Sequence, residues 1–290
     1  MAISESQYEV ILDKMAAETS QFGLETAPFK VGWYNDALAD KRFAFEDVDK
    51  NTLAFVVISA PSMFEKAFLP FLRKDIEENK AHEIKDPLDR CMKEMFLRIS
   101  NAFPKIYNIV CMHDFEMSPI TKRPKVLVQT AGHVSGAVRF YQKCDLTEEN
   151  EDKIVDDQSQ VNTLHQLKSS KVFPVCVHPK YGGWFALRGI LLFKNVRLSD
   201  SFLKQKDPPV ILKTQSDIAT LLYLFNDHWR DWRYRDVGMP EDIERYSNLQ
   251  KEYFGTEPGD RKNIIDIYIT SAEGNEKICP NRVPLAEKNG

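Results

Sequence analysis

Three short stretches of the sequence combine residue types that could do chemistry. The first, TAGHVSGA at positions 130–137, places His133 among small residues. Small residues let a large flat ligand approach the backbone. An imidazole at such a place can donate a hydrogen bond or ligate a metal. The alternative interpretation is a histidine satisfied by the protein itself at the start of a helix.

The second stretch, VCVHPKYGGWFALRG at positions 175–189, carries a charge inside an apolar run. Arg188 is the one charged residue between Trp184 and Phe193. A buried charge without a partner is costly, so this guanidinium must meet a protein carboxylate or an anionic ligand. The residue types leave both partners open. Cys176 has apolar neighbours and is expected to be a packed thiol, not a nucleophile.

The third stretch, FNDHWRDWRYRD at positions 225–236, interleaves aromatic residues with Arg230, Arg233 and Arg235. Interleaving of this kind can accompany nucleic-acid binding. The whole chain opposes that interpretation, because 39 basic and 43 acidic residues give a net charge of −4. Neither nucleic acid nor an anionic membrane is therefore an expected partner. A packed tryptophan face, with one or two arginines reaching a small anionic ligand, is favoured.

The elements that must position these residues alternate without the regular rhythm of a parallel βαβ fold. We predict an α+β domain, with an antiparallel or mixed sheet and flanking helices. The predicted strands are 51–59, 105–113 and 125–130, and a hairpin joins 173–177 to 184–193. The predicted helices are 4–23, one from Ser62 that is bent or interrupted at Pro70, and one from Asp86-Pro87 to about Ala102. Three more are predicted at 133–143, from Ser216 along a face that reaches Trp229 and Trp232, and from Pro240 to Gly255.

Several classes of protein are excluded by missing patterns. The sequence contains no GxGxxG, P-loop, HExxH or GxSxG motif, which argues against a dinucleotide fingerprint, a P-loop and two classes of hydrolase. Five cysteines without a CxxC pair favour a reducing compartment. Neither a signal peptide nor an apolar run of about 18 residues is found, so we expect a soluble, cytoplasmic protein.

Five separated segments of the chain are together similar to the CblC (MMACHC) family of cobalamin-processing proteins. The similarity extends from Gln21 to Arg261. It rests on PFKVGWYN (28–35), DPLDRC (86–91), TAGHVSGAVRFYQ (130–142), HPKYGGWFALRG (178–189) and FNDHWRDWRYRD (225–236). The resemblance implies a nitroreductase-like α+β fold. It also implies an enzyme that binds cobalamin base-off and removes the upper axial ligand, by glutathione-dependent dealkylation or by reductive decyanation.

The resemblance also implies roles for individual residues. His133, Arg188 and Arg235 would be catalytic, and Arg188, Arg235 and Arg261 would hold glutathione, whose two carboxylates suit guanidinium groups. His133 would lie near the upper face of the corrin as a polar orienter. Ala131 stands where the DxHxxG motif has its aspartate, so no lower protein ligand to cobalt is expected. The cobalamin contacts would be Asp114, Val126, Leu127, Val128, Gln129, His133, Phe140, Tyr141, Gln142, Cys176 and Leu187.

The implied ligands are methyl-, adenosyl- and cyanocobalamin, with glutathione as co-substrate. Reduced flavin (FAD or FMN) with NADPH would serve decyanation, and the only metal would be the cobalt that cobalamin carries. The implied protein partners are an MMADHC-like trafficking protein and methionine synthase, with the chain itself a monomer or a ligand-induced homodimer. Two alternatives stay open: a flavin reductase or nitroreductase without cobalamin, and a cobalamin chaperone without chemistry.

The predicted domain organisation has one main body. Residues 1–237 would form the cobalamin-binding domain, 238–270 a helical cap, and 271–290 a flexible tail. An acidic stretch, 145–157, lies within an insertion at 145–171 and is expected to be a solvated excursion or a lid. If this connector leaves the reduced product exposed, oxygen would reoxidise it and the cycle would consume glutathione.

Overall fold

The computed structural model describes residues 1–78, 87–146, 167, 171–257, 259–261 and 264–265. Within them lie six strands: β1 (Leu24–Lys30), β2 (Thr52–Ser59), β3 (Ile109–His113), β4 (Arg139–Tyr141), β5 (Val175–Val177) and β6 (Ala186–Arg197). The main helices are α1 (Glu5–Ser20), α2 (Val31–Ala37), α3 (Leu69–Glu77), α4 (Pro87–Asn101), α5 (Val128–Val134), α6 (Gln215–Asp227) and α7 (Asn248–Gly255). A π-helical turn, Phe64–Phe68, leads into α3.

An antiparallel sheet in the order β1-β2-β6-β3 forms the centre of the molecule. Every residue of β2 is buried, as expected of a continuous apolar run. Side chains such as Phe55 and Leu191 pack on one face of the sheet against α1, α3 and α4. Side chains such as Val56 and Leu192 pack on the other face against α2 and α5. The predicted α+β class, with its antiparallel sheet and flanking helices, is confirmed.

A second, two-stranded sheet pairs β4 with β5. It shares a separate apolar cluster with α6, which includes Tyr141, Val175 and Leu222. The predicted hairpin between 173–177 and 184–193 is therefore wrong, because these two runs belong to different sheets. A tight turn closed by the His178–Gly182 bridge separates them and redirects the chain.

The local signals at helix starts are confirmed in two places. Ser4 and Gln7 form a reciprocal capping box at α1. Helix α4 begins at Pro87 and ends at Asn101, close to the predicted limits.

The predictions around the first candidate stretch are wrong. The sequence predicts a strand at 125–130 and a helix at 133–143. In the structure, α5 covers Val128–Val134 and β4 begins at Arg139. Val128, Ala131 and Val134 bury one helical face, and short apolar runs do not distinguish strand from helix. Gly136 has a φ of +77°, which favours glycine and turns the chain between α5 and β4.

Three further boundaries differ from the predictions. The strand predicted at 105–113 begins only at Ile109, after a 3-10 turn. Thr214, not Ser216, caps α6, which ends at Asp227, so Trp229 lies in a 3-10 turn and Trp232 lies between two such turns. The helix expected from Pro240 begins only at Asn248, because the Ser247 hydroxyl accepts the first-turn amide of Gln250 at 3.2 Å.

The proposed division into domains remains a prediction. In the region expected to be a cap, the Tyr253 ring of α7 packs on Phe64 and Phe68, with centroids 5.6 and 5.0 Å apart. Most of the acidic stretch (from position 147) and the tail 271–290 lie outside the described residues. Across the described ranges, no helix is both long and apolar enough to cross a membrane.

Candidate functional site

A cavity of about 420 Å³ opens at the end of the main sheet where β6 begins. Its walls come from β5, β6, the segment that enters α5, and the third candidate stretch. Seven of the residues assigned to cobalamin and one assigned to glutathione line it: Asp114, Val126, Leu127, Val128, Gln129, Cys176, Leu187 and Arg235. Residues far apart in the sequence thus meet in one place.

The wall formed by residues 126–129 is held by the body of the protein. The Leu127 backbone N–H donates to the Tyr34 hydroxyl at 3.0 Å, which ties this segment to α2. Gly132 lets α5 lie against the sheet, since a Cβ there would stand 2.8 Å from Val138 and 3.2 Å from Leu187. The small residue noted in the sequence therefore serves helix–sheet packing beside the cavity.

Cys176 forms part of the opposite wall. It pairs with Phe140 in the ladder of β4 and β5, so both side chains lie on the same face of the small sheet. Burial raises the pKa of the Cys176 thiol far above its ordinary value, which keeps it protonated. The group therefore contributes an apolar surface to the cavity rather than a nucleophile.

Arg235 lies at the cavity edge inside an aromatic cage. Its guanidinium carbon is 5.0–5.6 Å from the ring centroids of Trp184, Trp232, Tyr234 and Tyr246. Nη1 donates to the Gly183 carbonyl, and a weaker contact reaches the Tyr246 hydroxyl at 3.5 Å. The charge is therefore held by ring faces, which attract cations, rather than by a carboxylate.

Arg188 is buried on the other face of the main sheet. It is the extra residue of a β-bulge, because Leu187 pairs with Ile58 and Gly189 with Val57. Its Nε donates to the Ser59 hydroxyl at 2.9 Å, and among the described residues it forms no ion pair with a carboxylate. Among the described residues no carboxylate pairs with Arg188, and Arg188 does not line the cavity, so an anionic ligand as its partner remains a prediction.

Arg261 lies beyond the end of α7. Its Nε donates to the Thr256 carbonyl at 3.1 Å, and its guanidinium lies 5.1 Å from the Tyr253 ring centroid. The three arginines assigned to glutathione therefore have three different environments, and only Arg235 lines the cavity. Their shared role remains a prediction.

His133 is half-buried on α5 and is engaged by the protein. Its Nδ1 accepts the Phe140 backbone N–H at 3.2 Å. Burial, followed by the charge of Arg139, lowers the pKa of His133, which favours the neutral ring that this bond requires. The histidine joins α5 to β4 and does not line the cavity, and its place near the corrin remains a prediction.

Phe140, Tyr141 and Gln142, which were also assigned to cobalamin, lie in three different environments. Phe140 is half-buried, and Gln142 is exposed. Tyr141 is buried in the cluster beneath α6, where its hydroxyl accepts the backbone N–H groups of Ile211 and Leu212 at 3.2 and 2.8 Å. None of these three lines the cavity.

Reasoning from the sequence did not single out half of the lining. The remaining wall residues are Pro124, Pro174, Val175, Gly183, Phe185, Ala186, Phe225 and Tyr234. Phe225 and Tyr234 lie in the third candidate stretch, whose aromatic content was the available signal. The others carry no residue-type signal, because small and apolar side chains have the same pattern in a core as in a cavity wall.

In the described ranges, no group of three or more His, Cys, Asp or Glu side chains could hold a metal ion. The cavity combines an apolar wall with the exposed carboxylate of Asp114 and the caged guanidinium of Arg235. An open cavity lined by both apolar side chains and polar groups is a candidate site for an organic small molecule. The fold and site together thus define an α+β small-molecule-binding protein.

Comparison with known proteins narrows this class to a family. Residues 23–265 match the model of the methylmalonic aciduria and homocystinuria type C (MMACHC) family, and the chain belongs to that family. Relatives from Danio rerio and Gallus gallus are 40% and 39% identical over 268 and 259 residues. These alignments cover 91% and 89% of this chain and 96% and 97% of the relatives. Both are named cyanocobalamin reductase / alkylcobalamin dealkylase.

A solved structure has a similar fold. The crystal structure of a Caenorhabditis elegans B12-trafficking protein CblC, described as a human MMACHC homologue, has a TM-score of 0.75 and 31% sequence identity to this chain. The match covers 90% of this chain and 96% of that one. The family suggested by the five sequence segments is thereby confirmed.

Proposed function

We propose that this protein processes cobalamin by binding it and removing its upper axial ligand. The reactions would be dealkylation of alkylcobalamins and reductive decyanation of cyanocobalamin, as the names of its relatives suggest. The observation that carries the proposal is the meeting of Asp114, residues 126–129, Cys176 and Leu187 around one cavity. A cavity of about 420 Å³ can enclose only part of a corrinoid, so the remainder of the molecule would extend beyond it.

Glutathione would be the alkyl acceptor for methyl- and adenosylcobalamin. The glutathione sulfur, as thiolate, would form a bond to the alkyl carbon as the carbon–cobalt bond breaks. The bonding pair would leave with cobalt as cob(I)alamin, and a thioether would be released. Arg235 supports this proposal, because a guanidinium at the cavity edge can bind a carboxylate of glutathione and thereby place its sulfur. The roles of Arg188 and Arg261 in holding glutathione remain predictions from the resemblance, because neither residue lines the cavity.

Decyanation would need an electron donor. Reduced flavin, FAD or FMN regenerated with NADPH, is the donor that we infer from the family resemblance. Delivery of the product to an MMADHC-like protein and to methionine synthase belongs to the same proposal, as does oxidation of glutathione when oxygen reoxidises reduced cobalamin. The chain would act as a monomer or as a ligand-induced homodimer in the cytoplasm.

An anaerobic absorbance experiment with methylcobalamin tests the central proposal. We expect a shift to the base-off spectrum on binding, followed by cob(I)alamin or cob(II)alamin only after glutathione is added. A base-off shift without turnover would leave a chaperone as the function. Absence of any spectral shift would contradict cobalamin binding and direct attention to a flavin reductase.

A further inference from the structure

The turn at positions 178–183, HPKYGG, connects the two sheets and forms part of the cavity wall. Gly183 lines the cavity, and the turn lies between Cys176 and Phe185, which also line it. On one side, the turn contacts the backbone of the third candidate stretch. Gly183 N–H donates to the Arg235 carbonyl at 2.9 Å, and the Gly183 carbonyl accepts from Arg235 Nη1. The position of this turn therefore sets the position of the caged guanidinium.

This contact leaves no room for a side chain at Gly182 or Gly183. A Cβ at Gly183 would stand 2.7 Å from the Arg235 Cα. Gly182 has a φ of +57°, in the left-handed region that favours glycine. The two glycines permit the close approach, but they cannot hold the turn in place, because glycine is the least constrained residue.

A cluster of polar side chains holds the other side of the turn. The Tyr181 hydroxyl donates to Glu25 Oε1 on strand β1 and accepts from Lys180 Nζ at 2.8 Å. The His178 ring stacks on the Tyr181 ring, with centroids 4.8 Å apart, and its Nε2 lies 3.8 Å from Glu25 Oε2. Glu25 is thus the point at which the main sheet holds the turn.

The Tyr181 ring is buried, whereas Glu25 is partly exposed, with 41% of its side chain accessible. The hydrogen bond between them is therefore shielded on the tyrosine side. A charge-assisted hydrogen bond is stronger than a neutral one, and loss of either partner leaves the other unsatisfied. Lys180 adds a positive charge at 3.7 Å from Glu25.

We propose that Glu25 and Tyr181 are positioning residues for the reaction, which hold the 178–183 turn so that Arg235 keeps its place at the cavity edge. This inference rests on the proposed function, in which Arg235 binds glutathione. Neither residue lines the cavity or touches the reacting atoms, so both act through the Gly183–Arg235 contacts. The consequence is a change in the use of glutathione rather than in the binding of cobalamin, whose other wall residues belong to separate elements.

The test compares Tyr181→Phe and Glu25→Ala with wild type in anaerobic methylcobalamin dealkylation. We expect the KM for glutathione to rise about fivefold, with kcat at saturating glutathione and the base-off spectrum unchanged, as for the loss of one positioning hydrogen bond. Glu94→Ala is the matched control, because it removes a carboxylate of similar exposure that lies on α4, pairs with Lys74 at 3.5 Å and does not line the cavity. The control should keep the wild-type KM.

A double-mutant cycle distinguishes positioning from general loss of structure. In an Arg235→Lys background, Tyr181→Phe should raise the KM for glutathione by less than twofold, because the group that it positions is gone. Additive effects, or a KM that stays at the wild-type value in Tyr181→Phe, would overturn the inference. Tyr181→Phe removes only a hydroxyl, so it serves if Glu25→Ala does not fold. If wild type itself shows no glutathione-dependent turnover, the proposed function fails instead.

Discussion

Arg235 is the residue whose surroundings most restrict what it can bind. Four aromatic rings and the Gly183 carbonyl surround its guanidinium, and in the described part of the protein it pairs with no carboxylate. Asp236 and Asp231 instead accept from Arg245 and Arg233. Its positive charge therefore remains available to an anion that enters the cavity.

Replacement of Arg235 by lysine tests this role. Lysine keeps the charge but loses the planar fork that stacks between rings and grips a carboxylate. We expect Arg235→Lys to raise the KM for glutathione about tenfold and to leave the base-off spectrum of bound cobalamin intact. Arg233→Lys is the control, because Arg233 is exposed and pairs with Asp231 at 2.6 Å. Equal effects of the two substitutions in the dealkylation assay would contradict the assignment.

His178 predicts a dependence of stability on pH. Burial lowers the pKa of His178 to about 4, although Glu25 opposes the shift. The contact with Glu25 is therefore not an ion pair near neutral pH. The folded state resists protonation while the unfolded state protonates below about 6.5, so stability is full above that pH and falls towards pH 4.

We expect this histidine to contribute a loss of about 2–3 kcal/mol in the free energy of unfolding between pH 7.5 and 4.5. His178→Asn should remove that part of the pH dependence, while the amide oxygen can still accept the Lys180 N–H that now reaches Nδ1 at 3.1 Å. Urea unfolding at several pH values measures both curves. Parallel curves for the variant and wild type would show that His178 is not responsible.

At the scale of elements, the junction of β3 and β6 depends on one backbone position. Gly189 has a φ of +143° directly after the bulge that carries Arg188. A Cβ there would overlap the Met112 carbonyl, which belongs to the neighbouring strand. This glycine thus permits both the bulge and the pairing of β3, and the bulge is the feature that directs Arg188 away from the cavity.

Gly189→Ala should therefore destabilise the protein by more than about 3 kcal/mol, because both steric overlap and an unfavourable φ oppose the native backbone. Gly259→Ala provides the control, since no atom lies within 4 Å of a Cβ at that position and its φ is ordinary. The measurement is the free energy of unfolding in urea, or the yield of folded protein. A loss below about 1 kcal/mol at Gly189 would mean that the sheet adapts easily.

At the scale of the whole molecule, binding depends on a cavity to which several elements contribute. Gln129 is exposed and lines it, so a large side chain can be introduced there without disturbing the core. We expect Gln129→Trp to weaken methylcobalamin binding at least tenfold, measured by the base-off spectral shift, with no loss of thermal stability. Glu94→Trp, on an exposed position of α4, should bind as wild type does. Unchanged binding in Gln129→Trp would place cobalamin elsewhere.

The sequence by itself determined the family, the α+β class, the buried strand β2 and the capped starts of α1 and α4. These features depend on local patterns: apolar runs, capping residues and five specific segments. Through the resemblance, the sequence also indicated half of the residues that line the cavity.

Only the tertiary structure decided how the segments meet. The apolar pattern of residues 125–130 is compatible with a strand or a helix. Packing against the main sheet makes residues 128–130 part of α5. The runs on either side of HPKYGG have the sequence pattern of a hairpin. In the structure, β5 pairs with β4, whereas β6 pairs with β2 and β3. Arg188 and Arg235 have the same side chain, yet a bulge buries one beneath the sheet while an aromatic cage holds the other at the cavity. Such outcomes follow from contacts between residues distant in the chain, which local periodicity does not record.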